Sequence, residues 1–444
     1  MPRQLPLKGL ARAAAGRIGR PGAALPRSRL RGTAAVFTVM SALAATSLIS
    51  APSVAEPFSA EPCALSRTAA HHSEGLDTWN AAYPRPIRPL DAVMVFLSFP
   101  DAAPVTTPAE LAADHFPATS RYFARASYGR FTLRPHPLHR WIRMPRPSTA
   151  YVIRRDWDAV HRAAYLRDAL AVSDPYVDFS RYDIVYLVAD PDAPGVDSDA
   201  TKVVNLGRPL QVDGTPLRRV VTVFEKHPPD RLVLAHETGH VFDLPDLYHR
   251  PVDGKGDWDT YVGDWDLMGS QFGLAPELFG WHKWKLGWLD PRQVVCVPGT
   301  GSTRLTLEPL AAGPNVPVTG PTGVPAFGLG GGTKLAVVRT GPHRVLALEA
   351  RGRLGNDRAA CRSGILVYRV RSSTRSGAGP VEVIDAHPHG EACWGDSVYP
   401  PLADAPVGLG ESFTVPGEGV RVQVQGRTPS GAWTVRITPG ATSP

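Results

Sequence analysis

The chain has 444 residues, with 48 Lys and Arg against 41 Asp and Glu, a formal charge of +7 and four cysteines. Its length suggests two domains behind a leader. The excess positive charge is local, because the first 31 residues hold eight Lys or Arg and no acid; the remaining 40 basic residues face 41 acidic ones, which leaves no case for a nucleic-acid partner.

In chain order, the basic stretch is followed by an uncharged, weakly apolar run over residues 32–55 that ends in Ser53-Val54-Ala55. This pattern predicts a secretory signal peptide over 1–55, with an uncleaved membrane anchor as the alternative. Residues 56–89, rich in Ala, Pro and polar side chains, read as a linker or short propeptide. The runs 91–99 and 184–188 are short, apolar and rich in β-favouring residues, as buried strands are. Between them, Trp157, Val160, Ala164 and Ala171 fall at near-helical spacing, which predicts a helix over 156–171.

Next comes L-A-H-E-T-G-H-V-F-D-L-P-D-L-Y over 234–248. His236 and His240 lie four apart, so on a helix their rings share one face, with Glu237 beside them. Pro229 and Asp230 give this helix an entry and an N-cap, and Pro245 ends it within about a turn of His240. A chain of this composition would contain His-Glu-x-x-His by chance only about 0.02 times, which favours a hydrolytic zinc site over two unrelated surface histidines. Asp246 stands six residues after His240, where extended zinc-protease patterns place a last ligand, and aspartate binds zinc well. Asp243, three residues after His240, is a rival ligand or a partner of a ligating ring, and His249 or Glu277 are further alternatives.

This segment, together with G-D-W-D-L-M-G-S over 263–270 and P-E-L-F-G-W-H-K-W-K-L-G-W-L over 276–289, resembles the immune inhibitor A family of secreted bacterial zinc metalloproteases. Weaker similarity covers 121–133, 182–188, 346–351, 364–370 and 404–414. The resemblance implies zinc binding by His236, His240 and Asp246, general-base catalysis by Glu237, and a methionine turn beneath the metal at Met268. It also implies an α+β fold, with a metzincin-like α/β catalytic domain over 90–295 and a β-rich, sandwich-like domain over 296–444. Where the family has Gly, this chain has Asp243, a residue that tolerates left-handed backbone better than most.

Trp281, Trp284 and Trp288 form a stripe that reads as core packing. The acidic run 253–259 invites a Ca²⁺ site but fails the EF-hand pattern, since Lys255 and Trp258 occupy its third and sixth positions. Cys63, Cys296, Cys361 and Cys393 suit two disulfides in an exported chain, and sequence proximity favours Cys361 with Cys393 and hence Cys63 with Cys296. A second idea makes Cys63 a latency cap on the zinc. Residues 313–332, dense in Gly and Pro, read as a long loop; alternation over 334–339, 344–348, 365–370 and 420–424 predicts strands.

These features predict a secreted, monomeric zinc endopeptidase acting on protein or peptide substrates, free of the membrane once its signal is removed. Zinc-bound water would be the nucleophile and Glu237 its base; Tyr248, Tyr261 and His249 stand near enough in sequence to be considered as oxyanion donors. Other readings are a secreted binding protein that keeps the fold without turnover, with Asp243 misplacing the third ligand, and a zinc hydrolase acting on a non-peptide bond.

Overall fold

Strand β1 (Leu90–Ser98) is buried along nearly its whole length, and a strand tolerates that only when both faces of its sheet are covered. The computed structural model describes residues 63–230, 232–251, 255–314 and 330–440, with the backbone of 318–319 and 325–326; the signal peptide expected over 1–55 lies outside them. After β1 come α1 (Pro108–His115), α2 (Ala118–Ala126), β2 (Leu133–Arg143), α3 (Ala159–Ser173), β3 (Ile184–Ala189), β4 (Lys202–Val212), β5 (Thr215–Val223) and α4 (Val233–Val241). The sheet order is β2-β1-β3-β5-β4. Pairing is parallel except at the edge, where β4 runs antiparallel to β5. The tight β4–β5 connection is Asp213-Gly214, both at positive φ, the two-residue geometry that matches strand twist.

Side-chain alternation assigns the two faces. Ala92, Met94 and Phe96 share a core with Leu234, Ala235 and Phe242 at α4. Val93, Val95 and Leu97 pack instead with Tyr165, Leu166 and Leu170 of α3. Asp158 caps α3, accepting from the backbone N–H groups of Val160 and His161, so Trp157 stands ahead of the helix.

The rest of the chain adds α5 (Gly280–Lys285), β6 (Val294–Val297), β7 (Thr303–Leu307), β8 (Val318–Thr319), β9 (Pro325–Ala326), β10 (Leu335–Gly341), β11 (Arg344–Arg351), β12 (Gly364–Arg371), β13 (Val381–Val383), β14 (Ser412–Thr414), β15 (Arg421–Arg427) and β16 (Trp433–Thr438). Two sheets, β13-β12-β11-β10-β6 and β14-β15-β16-β7, pack over a shared apolar cluster that includes Val338, Leu346, Val367, Val422 and Val435. Alternate residues of the first of these sheets, Val337, Ala347 and Tyr368, belong to the same core as α4 and β1. The stretch read as a loop over 313–332 is described only in part, and β8 pairs with β9 within it.

Residues 63–89, expected as linker or propeptide, are built into the fold. Leu65 and Leu76 are buried in the main core, Trp281 and Trp288 donate their indole N–H groups to the carbonyls of Glu74 and Pro86, and Cys63 is bonded to Cys296 on β6. Composition does not reveal these attachments because they are a few scattered apolar, polar and disulfide contacts rather than an apolar stripe. Cys361 pairs with Cys393, so the Cys63 thiol is not available to cap a metal. Replacing Cys63 and Cys296 by Ser is expected to remove about 2–5 kcal/mol of stability, read as a lower urea midpoint under oxidising conditions; an unchanged midpoint would show that packing alone holds the segment.

Candidate metal centre

All nine residues of α4 are buried, so this helix lies at the centre of the fold. Its entry differs from expectation: Leu232, at φ +66°, occupies the cap position. Asp230 sits too early to cap and contributes its backbone carbonyl to Val233 N–H at 3.3 Å, while its carboxylate accepts from Gln271. At the other end the helix stops at Val241, with Phe242 as C-cap.

The rings of His236 and His240 meet edge to face, with centroids 4.9 Å apart. His236 Nδ1 donates to the carbonyl of Leu267 at 2.9 Å and His240 Nδ1 to that of Leu244 at 2.8 Å. Since a carbonyl only accepts, each Nδ1 carries a proton; in the neutral rings, the form that binds a metal, this leaves the Nε2 lone pair free, and both Nε2 atoms face the same point. There they meet Asp246 Oδ1, 3.5 Å from His236 Nε2 and 3.0 Å from His240 Nε2. Tetrahedral zinc with bonds of about 2.0–2.1 Å holds its ligand atoms about 3.3 Å apart. Asp246 Oδ1 is buried and has no hydrogen-bond partner, which a native carboxylate rarely accepts unless something else satisfies it. The donor set, its spacing and this orphaned oxygen therefore fit zinc. Among the described residues no other group of three His, Cys, Asp or Glu converges in this way. The acidic run 253–259 considered for Ca²⁺ lies partly outside the described residues.

The turn that returns Asp246 to the helix passes through Asp243 at φ +64°. Asp243 is not among the converging groups. Its carboxylate points away, accepting from Arg67 Nη2 at 2.5 Å and pairing with His72 Nδ1 at 2.8 Å, and its backbone carbonyl accepts from Lys285 Nζ at 2.7 Å. Burial opposes its charge, but His72, Lys285 and Arg67 outweigh burial and hold the carboxyl below its ordinary range. The His72 ring lies nearly parallel to that of His240, with centroids 5.7 Å apart. The other ligand alternatives stand elsewhere: Glu277 pairs with Lys283 at 3.3 Å, and the His249 ring packs against Tyr261.

Glu237 lies beside the two rings and accepts a hydrogen bond from Val203 N–H on the edge strand β4 at 2.9 Å. Burial is the main influence on its carboxyl and, despite the opposing pull of His240 and His236, raises its pKa. All three converging residues and Glu237 line an open cleft of about 890 Å³, walled by Lys202, Val203 and Asn205 on one side and by Arg375, Ser376 and Gly377 on another. Tyr248 lines it too, its ring nearly parallel to that of His236. Tyr261 and His249 do not line it. Glu225 was not singled out from sequence; it also faces the cleft, and burial pushes its carboxyl up to about 7.

Met268 lies under α4. A Cβ built on Gly239 would stand 2.4 Å from Met268 Sδ, so a side chain there would force the fully buried methionine to move. Met268 N–H donates to Asp266 Oδ1 at 2.7 Å and Met268 O accepts from Leu247 N–H at 2.9 Å. The turn is thus tied both to its own aspartate and to the segment that carries Asp246.

No family model matches the chain, and no curated protein matches it. Among solved structures it is similar to wild-type OgpA from Akkermansia muciniphila, at 12% identity and a TM-score of 0.27, over 82% of this chain and 96% of that one.

Gly239→Ala is expected to destabilise by about 1–3 kcal/mol through overpacking, more than the gain of up to about 1 kcal/mol in helix propensity. In a Met268→Ala background the penalty should largely vanish. Urea denaturation of the four proteins in this cycle checks the prediction; an equal cost in both backgrounds would rule out the contact as its cause.

Proposed function

We propose that this chain is a secreted zinc-dependent endopeptidase of the immune inhibitor A type. The observation that supports this most directly is the convergence of His236, His240 and the otherwise unpartnered Asp246 Oδ1, with Glu237 alongside, in an open cleft. Zinc held there by His236, His240 and Asp246 would polarise a peptide carbonyl and lower the pKa of a water to about 7.

The chain's own groups supply the remainder. Glu237 takes the proton of the attacking water and returns it to the leaving amine. The bond from Val203 N–H keeps its carboxylate turned into the cleft. Strand β4 is a sheet edge along the cleft wall, and an extended substrate chain would lie along it, as peptides do on exposed edges. The two disulfides suit an oxidising, extracellular location. Among the described residues no helix is long and apolar enough to cross a membrane. The reading in which the fold survives without turnover took Asp243 as one way to misplace the third ligand; Asp243 is instead turned towards Arg67 and His72, which removes that reason for it.

The test uses the chain beginning at Glu56. Wild type and Glu237→Ala should each bind one equivalent of zinc, with casein cleavage reduced by about 10²–10⁴-fold in the variant, while Asp246→Ala should lose the metal. Zinc-bound wild type inert towards casein and towards a diverse peptide library would reject the peptidase, and absence of zinc from wild type would reject the metal centre itself.

A further inference from the structure

Asp246 is held by a part of the chain that the zinc motif does not include. Its backbone N–H donates to Ser376 Oγ at 2.8 Å, Ser376 Oγ donates to Asp246 Oδ2 at 3.1 Å, and Gly377 N–H donates to the Asp246 carbonyl at 2.9 Å. All three bonds come from the loop joining β12 to β13, 130 residues further along the sequence. A serine hydroxyl has one proton and two lone pairs, so accepting from the backbone and donating to the carboxylate are compatible roles for the same oxygen. The result distinguishes the two carboxylate oxygens: Oδ2 is engaged, and Oδ1 is left bare towards His236 and His240.

We infer that Ser376 is the positioning residue for the third metal ligand, fixing the rotation of the Asp246 carboxylate so that Oδ1 faces the two imidazoles. This rests on the metal-centre reading proposed above and extends it to a region outside the motif. The loop is itself anchored to the N-terminal segment. Ser376 N–H donates to the carbonyl of His71 at 3.3 Å, and the carbonyl of Ser372 accepts from Thr68 Oγ1 at 2.6 Å and Ser73 Oγ at 2.7 Å. The hydroxyl is therefore presented from a braced position, as a partner that orients a ligand must be.

The experiment measures zinc affinity by chelator competition, and the visible spectrum of the Co²⁺-substituted protein, for wild type, Ser376→Ala and Ser376→Thr, with the urea midpoint of each metal-free form. Loss of an orienting partner typically weakens metal binding by about 10–100-fold, so Ser376→Ala should lose affinity in that range, shift its Co²⁺ bands and keep its metal-free midpoint. Ser376→Thr, which retains the hydroxyl, should recover most of the affinity. Should Ser376→Ala fail to fold, Ser376→Val, close in shape to the Thr variant but without its hydroxyl, carries the same expectation. Wild-type affinity and spectrum in the Ala or Val variant would overturn the inference while leaving the metal centre standing. A fall in affinity matched by an equal loss of metal-free stability would overturn it as well, by reducing Ser376 to a packing role. A wild-type protein that binds neither ion would remove the metal centre and this inference together.

Discussion

A carboxylate buried where a helix ends governs the arrangement of this protein. Asp243 leaves α4 at φ +64° with its side chain fully buried. Glycine takes that backbone conformation freely, whereas an L-residue with a side chain gives up roughly 1–2 kcal/mol. The side chain also brings a charge that must be matched inside the protein, since removing one partner of a buried pair typically costs about 3–5 kcal/mol. Arg67 matches the charge, and His72, whose own pKa burial holds down to about 4, adds a hydrogen bond to the other carboxylate oxygen. Their presence explains why residues 63–76 are threaded through the core beside the metal helix, and why His72 ends with its ring against His240.

A second buried set of charges carries the same segment to the floor of the site. Glu74 accepts from His282 Nε2 at 2.7 Å, and His282 Nδ1 faces Asp266 Oδ2 at 3.2 Å. Burial disfavours charge on that imidazole, but the two carboxylates prevail and raise its pKa to about 9, so both ring nitrogens carry protons at neutral pH and each serves one carboxylate. Asp266 in turn accepts from Met268 N–H and Phe279 N–H, which shapes the turn that places Met268 against Gly239. Buried ion networks of this sort seldom exceed well-packed apolar groups in net stability. Their geometric demands are strict, however, and here every member fixes the direction of a group one step closer to the metal helix.

The sequence made the parts with local chemistry legible. The i, i+4 pair His236 and His240, the stop before Pro245 and the apolar runs that became β1 and β3 all follow from short-range rules. Leu232 was not legible as a cap because a left-handed apolar residue is held by its surroundings and not by any side-chain bond of its own. The β4–β5 hairpin has a readable signal in Asp213-Gly214, but neither of its strands is apolar along its length, since both are exposed on part of one face. The contacts of Asp243, Glu237 and Asp246 with Arg67, Val203 and Ser376 join residues 34 to 176 positions apart. Spacing rules on one helix do not extend that far, and only the assembled fold brings such partners together.

The sheet β13-β12-β11-β10-β6 shows why the region after residue 295 is not an appendage to the site. Val345, Ala347, Leu366 and Tyr368 turn towards the core that contains α4, while Leu346, Leu348, Ile365 and Val367 turn towards the outer sheet. A sheet so used has no solvent face, and either neighbour alone would leave an apolar surface far larger than an isolated protein tolerates. Tyr368 adds a polar constraint, donating to Glu349 Oε2 at 2.7 Å while Glu349 Oε2 accepts from Gly280 N–H at the start of α5. The β12–β13 loop is therefore delivered to Asp246 by strands whose positions are set by burial on both sides. The Ser376 hydroxyl is thus carried by a loop that leaves β12, a strand paired on both edges and buried along most of its length.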